Sequence, residues 1–393
     1  MTFSSRVPAD LTANRLARAI ARLRGEGTAF IDLTESNPTR AGFDYPADLL
    51  APLARAAALA YRPRALGGAE ARAAVADDFA RRGHGVDPAR VALTASTSEA
   101  YSLLFKVLCD AGDEVLVPRP SYPLFEHLTR LDAVHAVAYD LEYHGRWEID
   151  MDRVERALSP RTRAVLLVSP NNPTGNYVTP GEIDQLALAC RGRGVAVISD
   201  EVFADYELNA AEAERGSLLG RDDLLGFTLG GLSKTVGLPQ VKLGWIAVSG
   251  SDTIVDAALQ RLELACDTYL SVSTPVQVAA PELLSQGAAV RRQIHQRVRR
   301  NHERCAALIE SHPDCDLLRA EGGWYAVLRV PTLMSEEELV LALLEKDHVL
   351  AHPGYFFDFP RESFLIVSLL APEAAFDRGV ARLLERASPS SRP

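Results

Sequence analysis

The sequence predicts an α/β fold in which a large domain holds a mostly parallel, seven-stranded sheet between helices, beside a smaller α+β domain. Two observations carry this prediction. A chain of 393 residues, 47% of them apolar, is long enough for one large core and a second, smaller one. Short apolar segments alternate with helical patterns along the first 280 residues, which is typical of a parallel sheet covered on both faces. The seven predicted strands are residues 91–94, 114–117, 134–139, 164–169, 195–200, 226–229 and 242–248.

The elements outside this sheet are predicted from periodicity. Residues 11–24 read as an N-terminal helix, and a helical stretch runs from residue 274 to about residue 311. Strands and helices then mix without the parallel rhythm, which favours an α+β unit. Its predicted elements are a strand at 324–330, a helix at 335–346, a short segment at 349–352, a strand at 364–369 and a helix at 373–387. The predicted large domain is therefore residues 46–280, and the small domain is residues 281–393.

Composition restricts the partners and the compartment. The net charge is −10 without any lysine/arginine block, which disfavours nucleic acid as a partner. The densest basic stretch, residues 291–300, has Ile294 and Val298 at helical spacing and is interpreted as a solvated helix face. The five cysteines are scattered, and the nine histidines show no metal-ligand spacing. That spacing leads us to expect no bound metal. The sequence shows neither a signal peptide nor an apolar run that could span a membrane, so we expect a cytoplasmic protein.

The most informative motif is the pair Ser233-Lys234, which follows the apolar residues 227–230 in a glycine-rich turn. A lysine at the end of a buried strand is costly, because burial disfavours the ammonium form. The neutral amine that burial favours is a nucleophile able to form a Schiff base with a carbonyl cofactor. A Ser-Lys pair after a strand is a weak signal by itself, so the neighbouring strand ends decide its interpretation.

Two other predicted strands end in polar residues. Asp200 closes one of them, where it is either a solvated strand end or a carboxylate that pairs with the pyridinium nitrogen of pyridoxal phosphate. Pro-Asn-Asn-Pro-Thr-Gly at residues 170–175 follows another, and its composition alone fits an ordinary turn. An ordinary turn does not account for the order of all three strand ends, with Asp200 between Asn172 and Lys234.

At this point the sequence resembles the class I/II (aspartate aminotransferase-like) family of fold-type I pyridoxal-phosphate enzymes, over nearly the whole chain. The motifs that carry the resemblance stand in the family's order and at about its spacing. They are Tyr61-Arg-Pro63 with Gly67, residues 94–100, Pro-Ser-Tyr-Pro at 120–123, Asn-Pro-Thr-Gly at 172–175, Asp-Glu-Val at 200–202, Ser233-Lys234, and Lys-Leu-Gly-Trp at 242–245.

The resemblance implies pyridoxal 5'-phosphate as the cofactor and gives each motif a role. Lys234 would carry the Schiff base and then move the proton. Asp200 would bind the ring nitrogen, Asn172 the 3′ oxygen, and Tyr122 would stack on the ring. Ser96 and Thr97 would open a helix whose free N–H groups suit the phosphate, with Lys242 as the cation. Tyr61 would reach the phosphate of a second subunit in a homodimer, and residues 1–45 would pack with the small domain or with that partner.

Four positions depart from the family pattern. Phe203 replaces a tyrosine that donates to the 3′ oxygen, so either Asn172 acts alone or Tyr206 reaches in from the next turn. Gly231 replaces a phosphate-binding serine. Lys242 replaces an arginine, which exchanges a bidentate fork for a point charge.

The fourth departure, Ile366, concerns the substrate. The family has an arginine there that binds the substrate α-carboxylate, and isoleucine cannot do so. Either Arg40 or Arg361 replaces it, or the substrate lacks that carboxylate. Arg40 is favoured, because it follows Asn37 in the loop that the family places over the substrate.

The resulting hypothesis is a pyridoxal-phosphate aminotransferase that moves an amino group from an amino acid donor to a keto acceptor. A lyase, decarboxylase or cyclase on the same fold is the alternative, since fold and cofactor do not fix which bond breaks. A regulatory domain that senses the cofactor is a third hypothesis, disfavoured because about 30 residues before Ile31 are too few for a DNA-binding module.

Overall fold

The computed structural model describes residues 2–209 and 214–388. The strands are β1 (Ile31–Asp32), β2 (Val91–Thr94), β3 (Glu114–Arg119), β4 (His135–Tyr143), β5 (Trp147–Ile149), β6 (Thr162–Val168), β7 (Ala196–Asp200), β8 (Gly226–Gly231), β9 (Gly244–Ser249), β10 (Asp316–Leu317), β11 (Tyr325–Arg329), β12 (Val349–Leu350), β13 (His352–Pro353) and β14 (Phe364–Ser368). The helices are α1 (Arg15–Gly25), α2 (Ala69–Arg81), α3 (Thr97–Leu108), α4 (Phe125–Leu131), α5 (Met151–Ala157), α6 (Pro180–Cys190), α7 (Leu232–Thr235), α8 (Asp252–Tyr269), α9 (Thr274–Gln286), α10 (Ala288–Ile309), α11 (Glu336–Lys346) and α12 (Glu373–Ala387).

The large sheet has the order β2-β9-β8-β7-β6-β3-β4-β5. Neighbours from β8 through β4 are parallel, whereas β9 runs antiparallel to both β2 and β8. The seven predicted strands are therefore confirmed, but the predicted count of seven is wrong by one. The extra strand β5 pairs antiparallel with β4 at the sheet edge. Its three residues, with Trp147 and Ile149 buried on either side of Glu148, are too few for periodicity to identify.

Apolar residues on both faces of this sheet are buried, as predicted for a sheet between two helical layers. In β6 the alternating residues Val165 and Leu167 belong to one buried cluster, and Ala164, Leu166 and Val168 belong to the other. Burying one such side chain stabilises the fold by about 1.5–3 kcal/mol. The central strands are consequently rigid, and they give fixed positions to whatever follows their carboxyl ends.

A second, four-stranded antiparallel sheet has the order β10-β11-β14-β13. The N-terminal residues pack against this part of the chain. Strand β1 pairs in parallel with β12, and α1 is tied to α11 by ion pairs from Arg15 to Glu337 (2.7 Å) and from Arg22 to Glu345 (2.6 Å). Domain boundaries at residues 45 and 280 stay a prediction.

Two predicted helices have different limits in the structure. The N-terminal helix begins at Arg15, because Asn14 caps it by accepting a hydrogen bond from the N–H of Ala17. The long stretch from residue 274 divides into α9 and α10 at Gly287, where a Cβ atom would lie 2.6 Å from Cβ of Val236. The basic stretch lies in α10 with Ile294 and Val298 buried, as the sequence predicted.

Candidate active site

Three neighbouring parallel strands end side by side, and one of the predicted site residues lies at or just after the end of each. Asn172 lies four residues after β6, Asp200 is the last residue of β7, and Lys234 lies three residues after β8. The carboxyl ends of parallel strands meet at one edge of a sheet, which is where open α/β sheets bind ligands. The fold therefore brings Asn172, Asp200 and Lys234 to the same edge.

Lys234 lies in the single turn α7 that leaves β8. Its Nζ atom is 4.8 Å from the ring centroid of Trp324 and 5.8 Å from that of Phe203. Part of the side chain is still accessible to solvent. Desolvation by the surrounding protein nevertheless lowers the pKa of Lys234 to about 8, and the negative charge of Asp200 opposes this shift. A substantial fraction of the amine is thus neutral, and nucleophilic, at mildly alkaline pH.

Asp200 is buried, and each of its carboxylate oxygens accepts one hydrogen bond. The hydroxyl of Tyr101 donates to Oδ2 at 3.1 Å, and the N–H of Val202 donates to Oδ1 at 3.1 Å. Desolvation raises the pKa of Asp200 to about 6, while these two bonds and the charge of Lys234 act in the opposite direction. A carboxylate held in this way can accept a further hydrogen bond from a protonated ring nitrogen.

The ring-stacking candidate Tyr122 is half-buried and is positioned by buried polar contacts. The neighbouring Ser121 donates to Asn171 Oδ1 at 2.8 Å, and the Nδ2 of Asn171 donates to the carbonyl of Pro120 at 3.0 Å. These bonds tie the segment of Tyr122 to the loop that carries Asn172. Asn172 is itself buried, and among the described residues its Oδ1 finds no hydrogen-bond partner.

The predicted phosphate end lies at the start of α3. Ser96 caps the helix by accepting from the N–H of Glu99 at 3.2 Å, which places Thr97 in the first turn, where backbone N–H groups lack helical acceptors. Gly244 packs so closely that a Cβ there would lie 2.8 Å from the carbonyl carbon of Ser96. Lys242 is exposed, has a left-handed backbone at φ 60°, and lies two residues before Gly244 in the sequence. Such a backbone costs a non-glycine residue about 1–2 kcal/mol and occurs preferentially at functional sites.

Two departures from the family pattern, Phe203 and Gly231, and the alternative donor Tyr206 have a structural account. Phe203 is buried edge-to-face against Trp324, at a centroid distance of 5.3 Å. The hydroxyl of Tyr206 donates to the carbonyl oxygen of Lys234, so its one hydrogen is already used within the protein. Gly231 has little room for a side chain, because a Cβ would lie 3.1 Å from the carbonyl oxygen of Leu243.

The predicted substrate loop packs on the strand that carries Ile366. The Ser368 hydroxyl donates to the carbonyl of Glu35 at 2.6 Å, while Ile366 is fully buried. Asn37 caps the short turn Pro38–Arg40 through a bond from the N–H of Thr39. The guanidinium of Arg40 is largely exposed, with Nε 4.0 Å from Oε2 of Glu35.

The competing candidate, Arg361, lies elsewhere. It lines a cavity of about 340 Å³ together with Glu142 and His144, from strand β4 and the turn after it. Arg361 is therefore a suitable control for Arg40.

Tyr61 is not part of the constellation around Lys234 within one chain. It is 77% exposed and lines a surface cavity of about 330 Å³ with Arg64, Glu99 and Leu270. The same cavity is lined by Cys266 of α8, a helix that also exposes Leu264 and Tyr269. Exposed aromatic and aliphatic side chains in one region are typical of a protein interface.

Sequence reasoning missed Tyr101, Asn171 and Trp324. Tyr101 reads as an apolar position of α3, Asn171 as a turn residue, and Trp324 as the start of a small-domain strand. None carried a local signal of its role. Tyr101 contacts Asp200 and Trp324 contacts Lys234, each far away in the sequence, while Asn171 ties its loop to Pro120 and Ser121 beside Tyr122.

These features define a fold-type I pyridoxal-phosphate enzyme: a mostly parallel sheet with a lysine, an aspartate and an asparagine at its carboxyl edge, and a helix N-terminus beside them. The family model for aminotransferase class I and II matches residues 55–383, and the chain belongs to this family. Among the helices of the described residues, none is long and apolar enough to cross a membrane.

Curated relatives and solved structures agree with this assignment. The chain is 27% identical over 362 residues to glutamate-pyruvate aminotransferase AlaA of Escherichia coli K12, covering 88% of each chain. It is 27% identical over 380 residues to alanine aminotransferase of Mycobacterium bovis, covering 93% of this chain and 86% of the relative. A structure of a single mutant of Thermus thermophilus aspartate aminotransferase superposes with a TM-score of 0.83 at 24% identity, over 98% of this chain and all of that one, and supports the fold. The protein is a pyridoxal-phosphate-dependent aminotransferase.

The residues present fit the cofactor. At one sheet edge lie the Oδ1 of Asn172, which has no partner within residues 2–209 and 214–388, the buried carboxylate of Asp200 and the amine of Lys234 with its lowered pKa. Helix α3 begins beside this edge. Pyridoxal phosphate would supply an electron-withdrawing ring that stabilises negative charge at the substrate carbon.

Proposed function

We propose that Lys234 carries the cofactor and acts as the general base and acid of the amino transfer between an amino acid donor and a keto acceptor. The single observation that supports this most is the position of Nζ at the strand edge, near Asp200, with a pKa of about 8. A neutral amine at Nζ can accept the proton from the substrate α-carbon, and the ammonium that results would return it to C4′ of the cofactor, two atoms away.

The other residues of the site would bind and orient. Asp200 would accept the hydrogen bond of the ring nitrogen, Asn172 would bind the 3′ oxygen, and Tyr122 would cover one face of the ring. Ser96 and Thr97 would bind the phosphate, and Lys242 would supply a positive charge. Phe203 would pack beside Lys234 and exclude water.

A donor assay tests this proposal. The relatives are named for glutamate, pyruvate and alanine, so alanine and glutamate lead the panel of donors. The purified enzyme should convert one of them to its keto acid in a single turnover, with loss of the visible absorbance of the lysine-bound cofactor. Lys234→Ala should lose both the absorbance and turnover while keeping the circular dichroism of the folded protein. Release of carbon dioxide in place of a keto acid would favour the decarboxylase alternative.

We further propose that Arg40 binds the substrate α-carboxylate and that Asn37 shapes its loop. The hydrogen bond from Ser368 to Glu35 fastens this loop to the strand of Ile366, where the family has its arginine. The 4.0 Å separation from Glu35 is loose, and the arginine is largely exposed, so it is free to turn toward a bound carboxylate.

We also propose a homodimer in which Tyr61 completes the partner's phosphate site. The exposed side chains around the Tyr61 cavity support this. A complementation experiment tests it: Tyr61→Ala and Lys234→Ala chains are unfolded together, refolded and assayed. A mixed dimer contains one site with both residues intact, so about a quarter of wild-type activity should return. No recovery, or full activity from a monomer at micromolar concentration, would contradict the shared site.

A cytoplasmic location is proposed with it. The support is that all five cysteines are free, four of them buried, as expected in a reducing compartment.

A further inference from the structure

We propose that Tyr101 is a positioning residue for the cofactor ring, which acts by donating its hydroxyl hydrogen to Asp200. This inference rests on the proposed role of Asp200. Tyr101 lies in the second turn of α3, is 1% exposed, and its hydroxyl is 3.1 Å from Asp200 Oδ2. Tyr101 is not among the residues to which the family resemblance gives a role.

The hydrogen bond fixes the rotation of the Asp200 carboxylate. Tyr101 holds Oδ2 and the N–H of Val202 holds Oδ1, so each oxygen is committed to one partner and keeps a lone pair for the ligand. Burial raises the pKa of the Tyr101 phenol well above its usual value of 10.0, so the hydroxyl remains a donor throughout the working range.

The bond also favours the charged form of Asp200. The carboxylate is desolvated, and a donor directed at it stabilises the ion and not the neutral acid. Without this donor, the carboxyl would more readily keep its own proton and would offer less negative charge to a ring N–H.

The position of Tyr101 in α3 gives the arrangement its stiffness. The helix begins at Thr97, beside the phosphate end, so one rigid element contacts both ends of the proposed cofactor site. The Tyr101 ring is wedged edge-to-face against Phe125 at 5.4 Å, and Phe125 contacts Tyr122 in the same way at 5.8 Å. Phe125 therefore packs against both Tyr101, which holds Asp200, and the stacking candidate Tyr122.

The alternative is that Tyr101 has only a structural role, as a packed residue of the hydrophobic core. Tyr101→Phe separates the two roles, because the variant keeps the ring and its packing and removes only the hydroxyl. Tyr139→Phe is a matched control: Tyr139, in strand β4, is as buried as Tyr101, and its hydroxyl donates to the carbonyl of Leu166 at 2.7 Å and not to Asp200.

The experiment measures dissociation constants of the apoenzyme for pyridoxal phosphate and for an analogue whose ring nitrogen is replaced by C–H. We expect Tyr101→Phe to bind pyridoxal phosphate about tenfold more weakly and the analogue within twofold of wild type. Tyr139→Phe should leave the ratio of the two constants unchanged. Equal weakening of both compounds, or no weakening of either, would overturn the proposal.

Asp200→Asn distinguishes failure of this proposal from failure of the proposed role of Asp200. If Asp200 pairs with the ring nitrogen, Asp200→Asn itself reduces the preference for pyridoxal phosphate over the analogue. Adding Tyr101→Phe to Asp200→Asn should then cost little more, because the charged acceptor has already been lost. If Asp200→Asn leaves the preference for pyridoxal phosphate over the analogue unchanged, the proposed role of Asp200 is wrong. If Asp200→Asn reduces that preference but Tyr101→Phe leaves it unchanged, the proposed role of Tyr101 is wrong.

Discussion

Burial of the Lys234 ammonium should cost the apoenzyme stability, and replacing it with an uncharged side chain of similar length should recover that stability. The pKa falls from an ordinary 10.5 to about 8. Since a tenfold change in an acid dissociation constant is worth about 1.4 kcal/mol, the charge costs up to about 3 kcal/mol below pH 8. Part of the side chain contacts solvent, so we expect Lys234→Met to raise the free energy of unfolding by about 1–3 kcal/mol at pH 7.

The pH dependence gives this prediction its sign. Between pH 8 and 10.5 the unfolded chain binds more protons at this residue than the folded one, so wild-type stability gains on the variant as the pH rises. The advantage of Lys234→Met should thus be complete below pH 8 and vanish near pH 10.5.

Urea unfolding of cofactor-free protein at pH 7 and at pH 10 measures this difference. Lys346→Met, at an exposed position near the end of α11, is the control and should change stability by less than about 0.5 kcal/mol. A Lys234→Met apoenzyme no more stable than wild type at pH 7, or an advantage that persists at pH 10, would refute the reasoning.

Three further predictions concern the departures from the family pattern and the phosphate end. The Phe203 ring centroid lies 5.8 Å from Nζ of Lys234, so Phe203→Tyr places a phenol near the lysine and should lower the spectroscopic pKa of the cofactor-loaded enzyme. An unchanged titration would show that residue 203 does not face the cofactor. Arg40→Ala should raise KM for a carboxylate-bearing donor tenfold or more, roughly 1.4 kcal/mol, while Arg361→Ala changes it little; no effect from either would favour amine substrates. Lys242→Gly should relieve the left-handed backbone at φ 60° and keep or raise apoenzyme stability while weakening cofactor binding, and unaltered affinity would remove Lys242 from the phosphate site.

The sequence by itself determined the large sheet and the residues at its carboxyl edge. Strands β6, β7 and β8 are short apolar segments that end in distinctive polar residues, and both signals are local. Asn172, Asp200 and Lys234 follow the ends of parallel neighbours, so their common edge could be predicted before any contact was known. The helix that begins at Thr97 was predicted to within one residue for the same reason.

Only the tertiary structure decided how these residues are held and charged. Tyr101 meets Asp200 across 99 positions of sequence, and Trp324 meets Lys234 across a similar distance. The Tyr206 hydroxyl contacts the Lys234 carbonyl, which no spacing rule indicated. Such contacts depend on how helices and the second sheet pack onto the strand ends, and packing is not encoded in periodicity. Desolvation is likewise a sum over all surrounding atoms, so the lowered pKa of Lys234 and the raised pKa of Asp200 exist only in the folded chain.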